Sequence, residues 1–359
     1  MENQEKLLFT PFTLKGKTVK NRLMVPPMVR FWRDRKDGHA EAADAAHYSA
    51  FAKGGFGLIV VEATCIRPGG ELNACELGAY DDAYIEDLSS IAAAIKAEGA
   101  VAILQLHHAG LIAIGEDNVS ASDALLESRG LNVKPSRAHG ASEEEIEDLI
   151  RCFAAAARRA EQAGFDGVEL HGCHSYLISQ FLSRNLNRRE DRYGKPEQFA
   201  LDVIARVKET VSDAFIVGIR LGAFEPTLKE GLRHARAMEA AGIDYISVSY
   251  GFSILHAPEK PEGYPFIDVI YGAEEIKKTV SVPVFAVRSI VSAEQAEAIL
   301  EKTHVDGVLI GRGALVNPNW PKDALAGTDT GRCMQCPVCY FRRHRENCPG
   351  RDAYEKNRR

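Results

Sequence analysis

The chain has 359 residues, 45% apolar and 26% charged, with a formal net charge of −6. That balance describes a soluble globular chain and offers no basic surface for nucleic acid. No stretch is long and apolar enough for a membrane span. The N-terminus MENQEKLLFTPF lacks a basic region followed by an apolar run, so the chain is expected in the reducing cytoplasm.

In chain order, LFTPFTLKGKTVKN reads as a hairpin with a Lys-Gly turn. RLMVPP (Arg22 to Pro27) opens a series of apolar strands. Four of the next five follow a helix ending in glycine: KGG before FGLIVVEA, AEG before AVAILQLHH, QAG before FDGVELHG, and AAG before IDYISVSYG. FIVGIRL (Phe215 to Leu221), VPVFAVRS (Val282 to Ser289) and VDGVLIG (Val305 to Gly311) complete eight. Between them lie amphipathic helices, with Ser142 and Ser292 placed as N-caps. Strand–helix alternation means a parallel sheet, and no strand is followed by a dinucleotide glycine fingerprint. Eight near-equal units predict an α/β fold, a (β/α)8 TIM barrel over residues 1–327 with its floor covered by the hairpin. A Cys-rich, basic segment follows over 328–359.

Chemistry in such a barrel collects at the C-terminal ends of the strands. There the sequence places Pro26, Pro27, Met28 and Val29, then Ala63, then Gln105, His107 and His108. His171, His174 and Tyr176 follow in HGCHSY, then Arg220, Arg288, Gly311 and Arg312. An arginine inside a strand is costly unless an anion or a polarised oxygen meets it; a structural ion pair with Glu169 is the plain alternative. If Gly172 and Cys173 turn the chain, His171 and His174 converge to donate to one substrate oxygen and Tyr176 can supply a proton. A satisfied pair of core histidines is the plain reading, and a metal pair lacks a carboxylate or third histidine at ligand spacing. GVLIGRGAL suits a phosphate at the Gly311 backbone.

The tail RCMQCPVCYFRRHRENCPGR places Cys333, Cys336, Cys339 and Cys348 close together. In a reducing compartment such thiols point to an iron–sulfur cluster or zinc rather than disulfides, with free thiols as the plain alternative. The interleaved Arg342, Arg343, His344 and Arg345 offset thiolate charge, contact an acidic donor, or form a solvated surface.

The run GFDGVELHGCHSYLISQFLSRNLNRREDRYG strongly resembles the central signature of the old yellow enzyme family, the FMN-dependent ene-reductases. LFTPFTLKGKTVKNRLMVPPM resembles its opening, ILQLHHAG its third strand and VDGVLIGRGALVNPNW its last. The resemblance implies that Pro27, Met28 and Ala63 lie along the flavin and that Gln105 and Arg220 bind its pyrimidine edge. It implies that His171 and His174 bind the activating oxygen of the substrate, that Tyr176 is the proton donor, and that Gly311 and Arg312 grip the FMN phosphate. Val29 stands where relatives often carry Thr or Cys, Arg288 where Gly is common beside the phosphate, and Leu111 where many have Arg. Residues Ile112 to His139 match poorly and are read as the lid that sets substrate choice.

By that resemblance, reduced FMN would deliver a hydride to the β-carbon of an alkene conjugated to a carbonyl or carboxyl group. The donor would be NAD(P)H or a reduced electron-carrier protein. The tail resembles the cysteine cluster of dienoyl-CoA reductases, which implies a [4Fe–4S] centre, with zinc the alternative; its eight-residue gap before Cys348 departs from that pattern. Three other functions are weighed. An amine dehydrogenase or demethylase would call for an aromatic cage. A flavin-free phosphate-binding aldolase or isomerase would need a Schiff-base lysine or paired carboxylates at the strand ends. An interaction subunit would use a zinc tail. Assembly as a homo-oligomer is left open.

Overall fold

The computed structural model describes residues 6–31, 33–126, 135–251, 260–342 and 344–358. Eight parallel strands close a barrel. They are β1 (Leu23–Val25), β2 (Leu58–Cys65), β3 (Val101–His107), β4 (Gly167–Gly172), β5 (Ile216–Gly222), β6 (Tyr245–Ser249), β7 (Val284–Val287) and β8 (Gly307–Leu309). Closure comes from β8 pairing with β1 and β1 with β2. All eight residues of β2 are buried, as expected of a strand covered on both faces. The end strands are shorter than their apolar runs: β1 stops at Val25 because Pro26 has no N–H to offer a ladder.

The outer layer comprises α1 (Ala42–Lys53), α2 (Ile85–Lys96), α3 (Glu143–Gln162), α4 (Gln198–Thr210), α5 (Leu228–Ala240), α6 (Asp268–Lys277), α7 (Ala293–Thr303) and α8 (Trp320–Ala326). Helix α3 begins as its sequence dictates. The Ser142 hydroxyl accepts from the Glu145 amide at 3.2 Å, and the Glu145 carboxylate accepts from the Ser142 amide at 2.8 Å. Gly55, Gly99, Gly164 and Gly242, which close the helices before β2, β3, β4 and β6, all have positive φ.

The hairpin pairs Phe12–Leu14 with Lys17–Val19 through Lys15 and Gly16, both at positive φ. Its buried Leu14 and Val19 pack with Met24, Leu58 and Phe285 inside the barrel floor. Lys15 reaches Asp244 and Lys17 reaches Asp166, each at 2.9 Å. Both aspartates also accept a backbone amide of the neighbouring strand, Val217 at 2.7 Å and Ala102 at 2.9 Å. One end of the barrel is thereby sealed, and chemistry is confined to the other.

Above that open end, Asn118–Ser120, Ala124–Leu126 and Ser136–Gly140 form a small three-stranded sheet within the segment read as a lid; residues 127–134 of that segment lie outside the described residues. The tail ends in helix α9 (Pro349–Asn357), tied to α8 through Asp323. That carboxylate accepts from Tyr354 at 2.5 Å, Asn317 at 2.8 Å and Arg358 at 2.8 Å. Arg343, one of the basic residues noted in the tail, lies outside the described residues.

Candidate active site

Parallel registry fixes which side chains meet at the open end. Gln105 on β3 pairs with Glu169 on β4; His171 on β4 pairs with Arg220 on β5; Arg220 pairs with Ser247 on β6. Directly paired residues share a face, so all five point into the barrel. Above them opens a cavity of about 690 Å³. Its lining includes Pro27, Met28, Val29, Ala63, Gln105, His171, His174, Tyr176, Arg220, Arg288, Gly311 and Arg312, together with tail residues Cys333, Cys336 and Cys339. Of the residues named at the strand ends, His107 and His108 do not line it, and of the four tail cysteines Cys348 does not.

Glu169 is fully buried and does not form the ion pair with Arg220 considered above. Its carboxylate accepts from the Gln105 amide nitrogen at 2.8 Å, Ser247 at 2.7 Å and Tyr245 at 3.2 Å. Burial pushes the Glu169 carboxyl up, against the pull of Arg220 and these donors. Tyr245 fits there because Gly218 has no side chain: a Cβ at that position would lie 2.1 Å from the ring. With its NH2 donating to Glu169, Gln105 turns its carbonyl oxygen away. That oxygen is buried and unpartnered, as is Nε of Arg220. The floor thus presents one acceptor and one cationic donor with nothing among the described residues to meet them, which fits a planar ring carrying an N–H beside a carbonyl or anionic nitrogen.

The HGCHSY turn differs from expectation. Gly172 stays in β4, and the reversal is made by His174 and Ser175, at φ of 59° and 65°. Two successive left-handed non-glycine residues are strained, and strain of this kind is held where surrounding structure over-determines it. The result brings His171 Nε2 to 3.0 Å from His174 Nδ1, with His174 Nε2 at 2.7 Å from the Ser249 hydroxyl. Both imidazoles are held well below their ordinary pKa, chiefly by burial, with Arg220 and His107 adding to it. They are neutral. The Tyr176 ring stands 4.7 Å from His171.

Cys173 supplies the third metal-ligand type missed in the sequence, its sulfur lying within 4.8 Å of the His171 and His174 nitrogens. Burial pushes its thiol well up, away from the thiolate a metal needs, and the imidazoles already bond to each other. Arg288, at φ 90°, is exposed at the rim with its guanidinium 4.1 Å over the Tyr250 ring. The positive φ accounts for why glycine suits that position. Gly311 starts a five-residue helix, Arg312–Val316.

Sequence reasoning missed three features. Ser249 ends β6, the one strand whose end was passed over. His107 was noticed but given no role; it bonds Glu76. Arg30 and Arg33 follow the Pro26–Val29 stretch and enter a buried network with Glu62 and Asp44, where Arg33 meets both carboxylates at 2.8 and 2.9 Å. Their RxxR spacing was the available signal.

Residues 7–330 match the family model described as NADH:flavin oxidoreductase / NADH oxidase family. An NADPH dehydrogenase of Geobacillus thermodenitrificans is 35% identical over 343 residues, covering 94% of this chain and 98% of that protein. Among solved structures, an old yellow enzyme homologue from Zymomonas mobilis is 25% identical with a TM-score of 0.78, over 91% of this chain and 95% of that one. A 2-naphthoyl-CoA reductase solved with 2-naphthoyl-CoA is 26% identical with a TM-score of 0.84, over 93% of this chain but only 55% of that one. The chain therefore spans about half the length of that reductase.

Proposed function

The chain belongs to the NADH:flavin oxidoreductase / NADH oxidase family and is an FMN-dependent NAD(P)H oxidoreductase of the old yellow enzyme type; from that premise we propose that it reduces the C=C bond of α,β-unsaturated carbonyl or carboxyl compounds. The observation that carries the reading is the pairing of a floor with a free Gln105 carbonyl oxygen and a free Arg220 Nε, among the described residues, with a wall of neutral His171 and His174 beside Tyr176 in one cavity.

FMN, when bound, accepts a hydride from the nicotinamide and supplies one to the substrate β-carbon. Gln105 would accept from its ring N–H, and Arg220 would donate to its pyrimidine edge and stabilise negative charge there. Pro27, Met28 and Ala63 would lie along the ring, and Gly311, Arg312 and Arg288 would serve the phosphate. His171 and His174 would each turn an N–H to the substrate oxygen, giving up their mutual bond. For His174 to donate from Nδ1, its Nε2 must accept, and the Ser249 hydroxyl is placed to donate to it. These two donors hold the charge that develops on the oxygen. Tyr176 hands its proton to the α-carbon. An alkylammonium substrate would find imidazole donors and a nearby Arg220 instead of an aromatic cage, which disfavours amine dehydrogenation.

The tail is proposed to hold a [4Fe–4S] cluster. Four thiolates about 2.3 Å from one tetrahedral zinc stand roughly 3.8 Å apart. Among the described residues, no three tail thiols come within 4.8 Å of one another. What supports the cluster is the Cys-x2-Cys-x2-Cys spacing of Cys333, Cys336 and Cys339 with its soft thiolate donors. Electrons would come from NAD(P)H at the flavin or from a reduced carrier protein.

The reading is tested with Tyr176→Phe in anaerobic stopped flow. Flavin reduction by NAD(P)H should be unchanged, while reoxidation by 2-cyclohexenone should slow about 10²-fold or more. Full-rate reoxidation would show that Tyr176 is not the acid.

A further inference from the structure

One layer below the cavity floor lies a carboxyl group that the proposed reaction does not use. Glu169 is 0% exposed and does not line the cavity. The three side chains that donate to it, Gln105, Ser247 and Tyr245, are fully buried with it. In the ladder Glu169 pairs with Gly218, and Arg220 follows two residues later on the same face of β5. The carboxyl group therefore sits one layer beneath the guanidinium, on the neighbouring strand. No carboxylate forms an ion pair with Arg220 among the described residues, and its Nε is without a partner.

We propose that Glu169, carrying its charge beneath the flavin site, holds the flavin potential down and so makes the reduced flavin a stronger hydride donor. The inference rests on Gln105 and Arg220 being the pyrimidine floor. A hydride taken from the nicotinamide leaves one negative charge on the ring, and the same hydride later leaves with the substrate; Glu169 itself exchanges no proton or electron. Arg220 favours that added charge and Glu169 opposes it. Inside a barrel closed to water and salt, neither effect is screened as it would be at a surface. The hydrogen bond from Gln105 to Glu169 does something else. It turns the Gln105 carbonyl towards the ring N–H, which is present in both redox states, so it strengthens binding of both alike. The two contributions of Glu169 are therefore separable: orientation of Gln105 shows in the affinity for oxidised FMN, and charge shows in the potential. Glu169 is a positioning residue, acting through Gln105 and Arg220.

The test is a dye-linked redox titration of holoenzyme at pH 8, on the alkaline side because burial raises the Glu169 pKa. Glu169→Gln removes the charge and keeps the shape of the side chain. Its two-electron midpoint potential should rise by about 30 mV or more, a tenfold greater preference for reduced over oxidised FMN. The half-reactions should then move in opposite directions, with faster flavin reduction by NAD(P)H and slower reoxidation by 2-cyclohexenone. Glu169→Asp keeps the charge but shortens the reach to Gln105. It should loosen oxidised FMN several-fold and leave the redox preference within about twofold. A merely structural role predicts the reverse order, with Asp, the poorer fit, moving the potential more than Gln. That order, an unchanged potential in Glu169→Gln, or both half-reactions slowing together overturns the proposal. So does loss of FMN from both Glu169→Gln and Glu169→Met while Glu169→Asp retains it. An unaltered protein that binds no FMN instead overturns the flavin floor, and is read separately.

Discussion

Gln105, His171 and Arg220 enter the cavity from three adjacent strands, each buried and held in register by ladder hydrogen bonds. Cys333, Cys336 and Cys339 enter it from the opposite side on a tail with no regular structure between Gly331 and Cys339, half-buried, their sulfurs apart. The first wall is largely set by its strands before any ligand arrives: its amide is oriented by Glu169 and His174 by Ser249, and only the bond between the two histidines has to be exchanged. The second is a set of donors whose arrangement depends on what they hold. Preorganisation by strands suits electrostatic catalysis, where donors must not move, and binding-coupled ordering suits a metal centre.

The sharpest way to separate the two walls is Cys336→Ser. If the proposed cluster is there, losing one ligand should cost the tail its iron, measured by iron and sulfide analysis, while flavin stays at one per chain. Flavin lost in step with iron would mean that the walls are one unit. Acid attacks the strand wall instead. His108, His171 and His174 have folded pKa values below the ordinary imidazole value of 6.5, with His108 pushed down to about 3 by burial. The unfolded chain therefore binds more protons than the folded one below 6.5, and stability falls as pH drops through that point. His139 shifts the other way beside Glu145, but it is exposed enough for solvent to screen it. Calorimetric melting temperatures should decline from pH 7 to pH 5, and a flat profile would mean that the imidazoles are not buried neutral. The smallest effect concerns the anchor of the tail. Tyr354→Phe removes one of four side-chain donors to Asp323 and should weaken tail docking by about 1 kcal/mol, seen as faster proteolysis after residue 327 with unchanged flavin content.

The same contrast decided how much was legible in the sequence. Strand-borne features follow local rules: apolar runs, glycine caps and the Ser142 box announce the barrel, and strand ends announce where Gln105, His171 and Arg220 gather. The His174–Ser175 reversal was not legible, because neither residue prefers positive φ and only the surrounding packing imposes it. Glu76 was invisible as the partner of His107, being 31 residues away in a loop. For the tail, spacing named the donors but could not place Cys348 outside the cavity, since that depends on how α9 docks.

Gly218 touches no reacting group, yet a chain of contacts runs from it. Its missing side chain admits the Tyr245 ring, whose hydroxyl helps saturate Glu169, whose other oxygen decides which end of the Gln105 amide faces the cavity. One methyl group at position 218 would be felt as a change in hydrogen-bond polarity at Gln105 on the cavity floor, two residues removed. A survey ranking positions by lost activity would group this glycine with the histidines, and a search for reactive side chains would never find it. Functional sensitivity in this barrel thus extends to positions whose contribution is an unfilled volume.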